Sequence, residues 1–118
     1  MKEELEIAIS AAQDKKAIDP LVLMVKELSS FTDYFLLFTG ANPRQVRAIT
    51  DEVEQRLKQR GLRAHHVEGY NQAEWVLMDY VDFVVHVFSE RARAYYDLER
   101  LWRAAPRVPI PKELMAGR

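Results

Sequence analysis

Two aspartates and a histidine lie in an otherwise apolar stretch between Trp75 and Phe88. Carboxylates that hold a divalent cation could serve nucleotidyl transfer, because the metal bridges and neutralises phosphate oxygens. That chemistry requires acids one residue apart, whereas Asp79 and Asp82 are three residues apart across a turn. We therefore interpret Asp82 as a turn residue whose carboxylate accepts hydrogen bonds from nearby amides. A nucleotide-binding or nucleotidyltransferase-like enzyme remains the alternative function.

The three histidines do not have the spacing of a metal site. His65 and His66 are adjacent, so on a strand their side chains point to opposite faces and cannot jointly bind one ion. His86 lies among valines, which favours a neutral core imidazole hydrogen-bonded to a neighbour, with a polar contact at the sheet surface as the open alternative. The chain has no cysteine, which excludes thiolate catalysis and cysteine-based zinc sites. We expect no cofactor and no metal.

Other catalytic patterns are weak. Thr39-Gly-Ala-Asn-Pro43 precedes a predicted helix whose N-terminus would attract anions, but it has one glycine and no lysine. A serine–histidine–acid triad cannot be argued from spacing, because its members assemble in space rather than in sequence. We therefore predict no catalytic residue.

Composition and charge narrow the class of protein. The 118 residues fit one domain, and 17 basic against 18 acidic residues disfavour an extensive contact with nucleic acid. No apolar run approaches the roughly 20 residues of a membrane span, and the N-terminal residues lack the pattern of a signal peptide. We expect a cytoplasmic protein without a membrane partner.

The elements that position these residues alternate between helices and strands. Apolar spacing predicts a helix over residues 3–14, then strands over 21–25 and 34–39. Asn42 suits an N-cap, Pro43 suits the first helical position, and Gly61 suits the end of a helix over 43–60. With a strand over 62–67 this makes a βαβ unit, which implies that 34–39 and 62–67 are parallel.

The second half predicts a hairpin followed by a helix. Residues 75–80 and 83–88 are too close for a crossover, so they should pair as antiparallel strands. Ser89 suits the N-cap of a helix over 90–104. The fold class is therefore α/β, with a mixed sheet flanked by helices in a single domain over residues 1–107. Residues 108–118 should be an extended tail that contains prolines and is ordered only where Val108 or Ile110 finds a groove.

The first hairpin strand is apolar on both faces. Trp75, Leu77 and Asp79 should face one way, and Val76, Met78 and Tyr80 should face the other. One face must cover the core. The other is either covered by helices or forms an aromatic and aliphatic patch edged by carboxylates, as in protein interfaces that receive a basic partner.

Seven short motifs stand in order across residues 1 to about 107. They are Thr32-Asp-Tyr-Phe35, Thr39-Gly40, Arg44-Gln-Val-Arg-Ala-Ile49, Glu68-Gly69, Trp75-Val-Leu-Met-Asp-Tyr80, His86-Val-Phe88 and Tyr96-Asp-Leu-Glu-Arg-Leu-Trp102. Together they resemble the ribosomal silencing factor family, also called the Iojap family. The resemblance implies a fold like that of nucleotidyltransferases without their catalytic acids, and a factor that is not an enzyme.

The resemblance also implies a partner and a mechanism. Members of the family bind the large ribosomal subunit through its fourteenth protein, block subunit association and repress translation under nutrient limitation. They are thought to form homodimers when free. The partner-binding residues that correspond in this sequence are Trp75, Leu77, Met78, Asp79 and Tyr80, with Thr32, Asp33 and His86 as weaker candidates.

One departure from the family lies beside this segment. The family commonly has glycine where this chain has Val81, between Tyr80 and Asp82. Because a β-branched residue resists positive φ, we expect this turn to be of a different type.

Overall fold

A five-stranded sheet forms the middle layer of the fold. The computed structural model describes residues 1–115, and its sheet has the strand order β1-β2-β5-β4-β3. The strands are β1 (Ile18–Met24), β2 (Tyr34–Gly40), β3 (His66–Glu68), β4 (Trp75–Asp79) and β5 (Phe83–Ser89). Only β2 and β5 pair in parallel within the described residues, and the other neighbours are antiparallel. The predicted mixed α/β sheet and the β4–β5 hairpin are confirmed, whereas the likeness to nucleotidyltransferases stays a prediction.

The expected parallel orientation of β2 and the strand of region 62–67 is confirmed, but the two strands are not neighbours, because β5 and β4 lie between them. The strand in this region is only three residues long and pairs antiparallel with β4, with Val67 opposite Met78. The parallel neighbour of β2 is β5, which lies in the middle of the sheet. The cause is burial: β5 is apolar on both faces and needs two neighbours, whereas β3 is exposed throughout and suits an edge.

One face of the sheet is covered by α1 (Glu3–Asp14) and α2 (Pro43–Gln59). The prediction for the start of α2 is confirmed, because the Asn42 side chain accepts a hydrogen bond of 2.8 Å from the Gln45 amide and Pro43 occupies the first turn. Both helices bury an apolar stripe against β2, β4 and β5. None of the helices in residues 1–115 is long and apolar enough to cross a membrane.

The other face is partly covered by two short helices in place of the single helix predicted over residues 90–104. These are α3 (Glu90–Tyr96) and α4 (Leu98–Leu101), and Asp97 between them is left-handed with φ of +48°. The Arg93 guanidinium fixes the break, since it bonds to Glu99 beyond it and to Thr39 on the sheet. A second, smaller core lies beneath these helices and includes Leu23, Val25, Phe35, Leu37, Phe88, Ala92, Leu98 and Ala105.

The tail returns to the sheet before it becomes helical. The Val108 amide donates a 2.9 Å hydrogen bond to the carbonyl of Val22, and Val108 and Ile110 pack against the main core. The predicted extended conformation is wrong over α5 (Lys112–Met115), a helical turn that packs on α1 because Leu114 finds apolar surface there. Residues 116–118 of the predicted tail lie outside the described residues, and the domain boundary at 107 stays a prediction.

Candidate functional site

Strand β4 has one buried and one half-exposed face, as the alternation predicts. Val76 and Met78 are fully buried in the main core, whereas Trp75, Leu77 and Asp79 are half-buried on the opposite face. Val84 of β5 is also half-buried and lies directly opposite Asp79 in the strand register. Because α3 and α4 are short, they cover only part of this face. Trp75, Leu77, Asp79 and Val84 therefore form an accessible surface, here called the β4–β5 strip.

The indole of Trp75 is held in one orientation. Its Nε1–H donates a 3.0 Å hydrogen bond to Nδ1 of His86. Its ring lies 5.1 Å from the ring of Phe88 and 4.8 Å from that of Tyr96, measured between ring centroids. Such a side chain loses little rotational entropy when a partner covers its exposed edge, which favours it as a contact residue.

His86 is a core histidine hydrogen-bonded to a neighbour, which confirms the favoured interpretation over that of a polar contact at the sheet surface. Its side chain is 3% exposed, and the ring of Phe35 meets it edge-on at 4.8 Å. Burial lowers the pKa of His86 to about 3, because the apolar surroundings disfavour the charged imidazolium. Nε2 has no hydrogen-bond partner among the described residues. His86 can act on the β4–β5 strip only through Trp75.

The turn between β4 and β5 differs from the expectation, because Val81 has a positive φ of +73°. The Asp82 amide donates to the Tyr80 carbonyl at 2.9 Å, which closes a γ-turn around Val81. Asp79 supports this turn, since its Oδ1 accepts a 2.8 Å hydrogen bond from the Val81 amide. The carboxylate that caps the turn is thus that of Asp79 and not, as predicted, that of Asp82. A β-branched residue at positive φ is strained by about 1–3 kcal/mol.

The remaining predicted residues are mostly buried. Met78 is fully buried, Tyr80 is 4% exposed and Thr32 is 7% exposed, so these three cannot present much surface to a partner in this conformation. Burial, with a contribution from the charge of Glu54, raises the pKa of Tyr80 to about 12. Asp33 is half-exposed, and its amide donates a 3.0 Å hydrogen bond to the Asp82 carbonyl.

Carboxylates gather where the β4–β5 turn meets the start of β2. Asp33 and Asp82 are joined through their backbones, and Asp79 lies one strand position from the turn. The second carboxylate oxygen of Asp79 has no hydrogen bond among the described residues, so it is available to a cation of a partner. Residues 1–115 contain no group of three histidine, aspartate or glutamate side chains that could hold a metal ion. The arrangement is suited to attracting a basic surface.

Sequence reasoning missed two apolar residues near this end of the sheet, one half-buried and one exposed. Val84 completes the β4–β5 strip, and it could have been found from its alternation with the buried Phe83 and Val85. Phe31, in the loop before β2, is 90% exposed. No periodicity signals Phe31, because it lies outside any strand or helix.

Comparison with known proteins gives consistent matches over most of the chain. The family described as "Ribosomal silencing factor during starvation" matches residues 1–117. A protein of Halalkalibacterium halodurans named ribosomal silencing factor RsfS is 43% identical over 109 residues, which are 92% of this chain and 93% of that protein. The Bacillus subtilis protein of the same name is 43% identical over 105 residues, 89% of each chain. A crystal structure of a Chromobacterium violaceum protein superposes with a TM-score of 0.84 at 38% identity, covering 87% of this chain and 88% of that one.

Proposed function

Since the chain belongs to the family of ribosomal silencing factors during starvation, we propose that it silences ribosomes by docking on the large subunit and blocking association with the small one. The docking partner would be the fourteenth protein of the large subunit. The factor would act in the cytoplasm when nutrients are limiting. It would catalyse no reaction, because docking alone occupies the space that the small subunit needs.

The observation that carries this proposal is the incomplete cover over the second face of the sheet. Trp75, Leu77 and Val84 are apolar, lie side by side on the neighbouring strands β4 and β5, and remain only half-buried beneath α3 and α4. Specific protein interfaces have an apolar centre and polar or charged edges. An area of roughly 800 Å² per partner would suffice for a specific complex.

Charge sets the kind of partner that fits this surface. Asp79 borders the strip, and the exposed Asp82 lies just beyond it. Acidic residues at the edge of an apolar patch accelerate encounters with a basic surface and disfavour acidic competitors. This supports a basic ribosomal protein as the partner.

The predicted site residues then divide into two roles. We propose that Trp75, Leu77 and Asp79 contact the partner, together with Val84, and that Asp33 contributes to the acidic edge. The buried residues Met78, Tyr80, Thr32 and His86 would position this surface from beneath. His86 has the most direct part in this, because it accepts the hydrogen bond that orients Trp75.

The free protein could form a homodimer through the same surface. Two copies that meet through their β4–β5 strips would bury the same apolar residues that a ribosomal partner would cover. The homodimer expected for the free protein would therefore compete with docking. Sedimentation equilibrium with and without the purified fourteenth protein should show the dimer giving way to a complex of one copy of each.

Leu77→Arg is the sharpest test of the docking surface. Because Leu77 is half-buried at the surface, an arginine there can extend its charge into water while it disrupts an apolar contact and repels a basic partner. We expect co-sedimentation with large subunits to weaken at least about 100-fold, as for loss of an interface hot spot. Trp75→Ala is less suitable, because it also removes packing against His86 and Phe88.

The matched control is Val67→Arg. Val67 is an exposed apolar residue on the neighbouring strand β3, but it pairs with Met78 and therefore lies on the opposite face of the sheet. This variant should bind large subunits like the wild type. Undiminished binding by a folded Leu77→Arg variant would show that the docking surface lies elsewhere.

Asp79→Asn tests the charge separately from the geometry. The amide oxygen of asparagine can still accept the hydrogen bond from Val81, so the turn should persist while the negative charge is lost. Association with large subunits should slow several-fold, and its rate should depend less steeply on salt. Stopped-flow association at two salt concentrations measures both effects. An unchanged rate and salt dependence would argue against a basic partner at this edge.

A further inference from the structure

A second exposed surface lies at the junction of α3 and α4, and the β4–β5 strip does not include it. Tyr95 is 79% exposed and Leu101 is 77% exposed, and both line one hollow, so they form a local exposed apolar patch. The rings of Tyr95 and Tyr96 meet edge-on with centroids 5.0 Å apart. Such an exposed aromatic pair offers planar faces without contributing much to the core.

Two arginines without acidic partners in the described part of the chain, Arg100 and Arg103, lie beside these tyrosines. Residues 90–107 contain five arginines and no lysine, against three acidic residues. Arg91 pairs with Glu74 and Arg93 with Glu99, whereas the exposed Arg100 and Arg103 form no ion pair within residues 1–115. The charge here is therefore locally positive, although the whole chain has a net charge of −1.

The tyrosines and the unpaired arginines share one hollow. It has a volume of about 660 Å³, is open to solvent, and is lined by Tyr95, Tyr96, Arg100, Leu101 and Arg103, with Asp97 as the one acidic lining residue of the described chain. Recognised ligand sites have volumes of about 300–1,000 Å³, so a nucleotide unit fits. The hollow has aromatic faces for a base and guanidinium groups for the phosphates on either side.

We propose that this tyrosine–arginine surface binds an unstacked segment of RNA, and specifically ribosomal RNA next to the protein on which the β4–β5 strip docks. Unpaired bases stack on tyrosine, and arginine bonds to backbone phosphates without regard to sequence. An acidic protein segment would match the arginines but would leave the exposed aromatic faces without a planar partner. The RNA contact is small, in keeping with the balanced charge of the chain.

The tyrosine–arginine surface lies close enough to the β4–β5 strip for one ribosomal partner to contact both. The ring of Tyr96 lies 4.8 Å from that of Trp75, so the two surfaces adjoin on the same side of the molecule. A partner that covers Trp75 must therefore bring its own neighbours close to the hollow. This inference rests on the proposed function, because it takes the docked ribosomal protein as the element that presents the RNA.

The test compares charge reversal at this surface with charge reversal elsewhere. The double variant Arg100→Glu/Arg103→Glu is measured beside Arg44→Glu/Arg63→Glu, whose two arginines are exposed and form no ion pair within residues 1–115. Each protein is titrated against intact large subunits at several salt concentrations, and against the isolated fourteenth protein. We expect the first variant to bind subunits at least about 10-fold more weakly, with a salt slope reduced by roughly one to two units. Its binding to the isolated protein should be unchanged, and the control should match the wild type throughout.

A second variant separates stacking from charge. Tyr95→Ala removes an aromatic face without altering the charge, and it should weaken subunit binding severalfold while leaving the salt slope unchanged. Ultraviolet crosslinking of the wild type to the ribosomal RNA of the subunit should fall with both variants.

The outcomes distinguish the two proposals. If Arg100→Glu/Arg103→Glu weakens binding to the isolated fourteenth protein as much as binding to intact subunits, the surface contacts protein and not RNA. If this variant binds intact subunits like the wild type, the surface contacts nothing on the subunit. Either result overturns the RNA proposal. Weakening by the arginine variant without weakening by Leu77→Arg supports RNA binding and refutes the β4–β5 strip as the docking site. A wild type that fails to bind large subunits refutes both.

Discussion

The Trp75 indole donates its one hydrogen bond to Nδ1 of His86, 3.0 Å away, in a nearly closed apolar cluster. An imidazole that accepts at Nδ1 carries its proton at Nε2 and is neutral. Protonation would put a hydrogen on Nδ1 and abolish the bond. The orientation of the half-buried tryptophan therefore depends on the protonation state of a residue beneath it.

This dependence predicts an acid sensitivity. Burial lowers the pKa of His86 from 6.5 to about 3 in the folded protein, so between those values the unfolded chain binds one more proton than the folded one. The stability that a neutral His86 provides is complete above pH 6.5 and declines as the pH falls towards 3. The decline should approach about 1.4 kcal/mol per pH unit. Urea unfolding at pH 7, 6, 5 and 4 measures it.

His86→Asn is the control for that titration, since its amide oxygen can accept the bond from Trp75 but does not titrate. The carboxylates of the protein contribute equally to both pH profiles. The free energy of unfolding of the variant should therefore fall less steeply with pH than that of the wild type. Parallel profiles would mean that the pKa of His86 does not change on folding, and would contradict its burial as a neutral acceptor.

Val81→Gly should stabilise the protein. Glycine adopts the φ of +73° without strain, which outweighs the additional entropy that glycine gives the unfolded chain. We expect a gain of about 1 kcal/mol in the free energy of unfolding. Val67→Gly, at an exposed strand position with no positive φ, should destabilise instead. If both variants lose stability, the turn is not strained.

Two glycines with nearly equal φ should respond differently to alanine. Gly61 has φ of +84° and no atom within 4 Å of an added Cβ, so Gly61→Ala should cost about 1 kcal/mol of backbone strain. At Gly69, with φ of +83°, the added Cβ would overlap the carbonyl oxygen of Trp75. Gly69→Ala should therefore cost more than about 3 kcal/mol, because the backbone at the start of β4 must move. Thermal unfolding compares the two, and equal losses would refute the overlap.

Arg93 and Arg91 both lie on the short helix α3, and they allow a buried arginine to be compared with an exposed one. The Arg93 side chain is 12% exposed and bonds to Glu99, to the Thr39 hydroxyl and to the Asp19 carbonyl, whereas the Arg91 side chain is 83% exposed. Arg93→Ala leaves these acceptors unpaired and should cost about 3 kcal/mol. Arg91→Ala should cost less than about 0.5 kcal/mol. Similar losses in urea unfolding would show that the α3–α4 break does not depend on Arg93.

The elements that local chemistry determines could be predicted from the sequence. Asn42 and Pro43 start α2 because they supply what a helix N-terminus lacks, namely an acceptor and a residue that needs no donor. The alternation from Trp75 to Tyr80 assigns each side chain to its face, because a strand permits no other arrangement. These features depend on neighbours within a few residues.

The features that the sequence left open or that were predicted wrongly depend on distant contacts. The partner of β2 is decided by which strand needs two buried neighbours, and Asp97 interrupts a helical pattern because Arg93 is held by atoms far away in sequence. Propensity argued against a positive φ at Val81, but the hydrogen bonds of the hairpin impose it. The exposure of the candidate site residues depends on how short α3 and α4 are. No pattern in the sequence reveals the lengths of these helices.

The central position of β5 has a consequence for folding of the protein during its synthesis. The parallel pair β2–β5 joins residues about 50 positions apart, such as Tyr34 with Phe83, and such long-range closure is slow and comes late. During synthesis the first 80 or so residues therefore have no central strand to assemble on. The β4–β5 strip is incomplete until β5 is present, because Val84 belongs to that strand. A nascent chain without β5 therefore lacks part of the surface that we propose for docking.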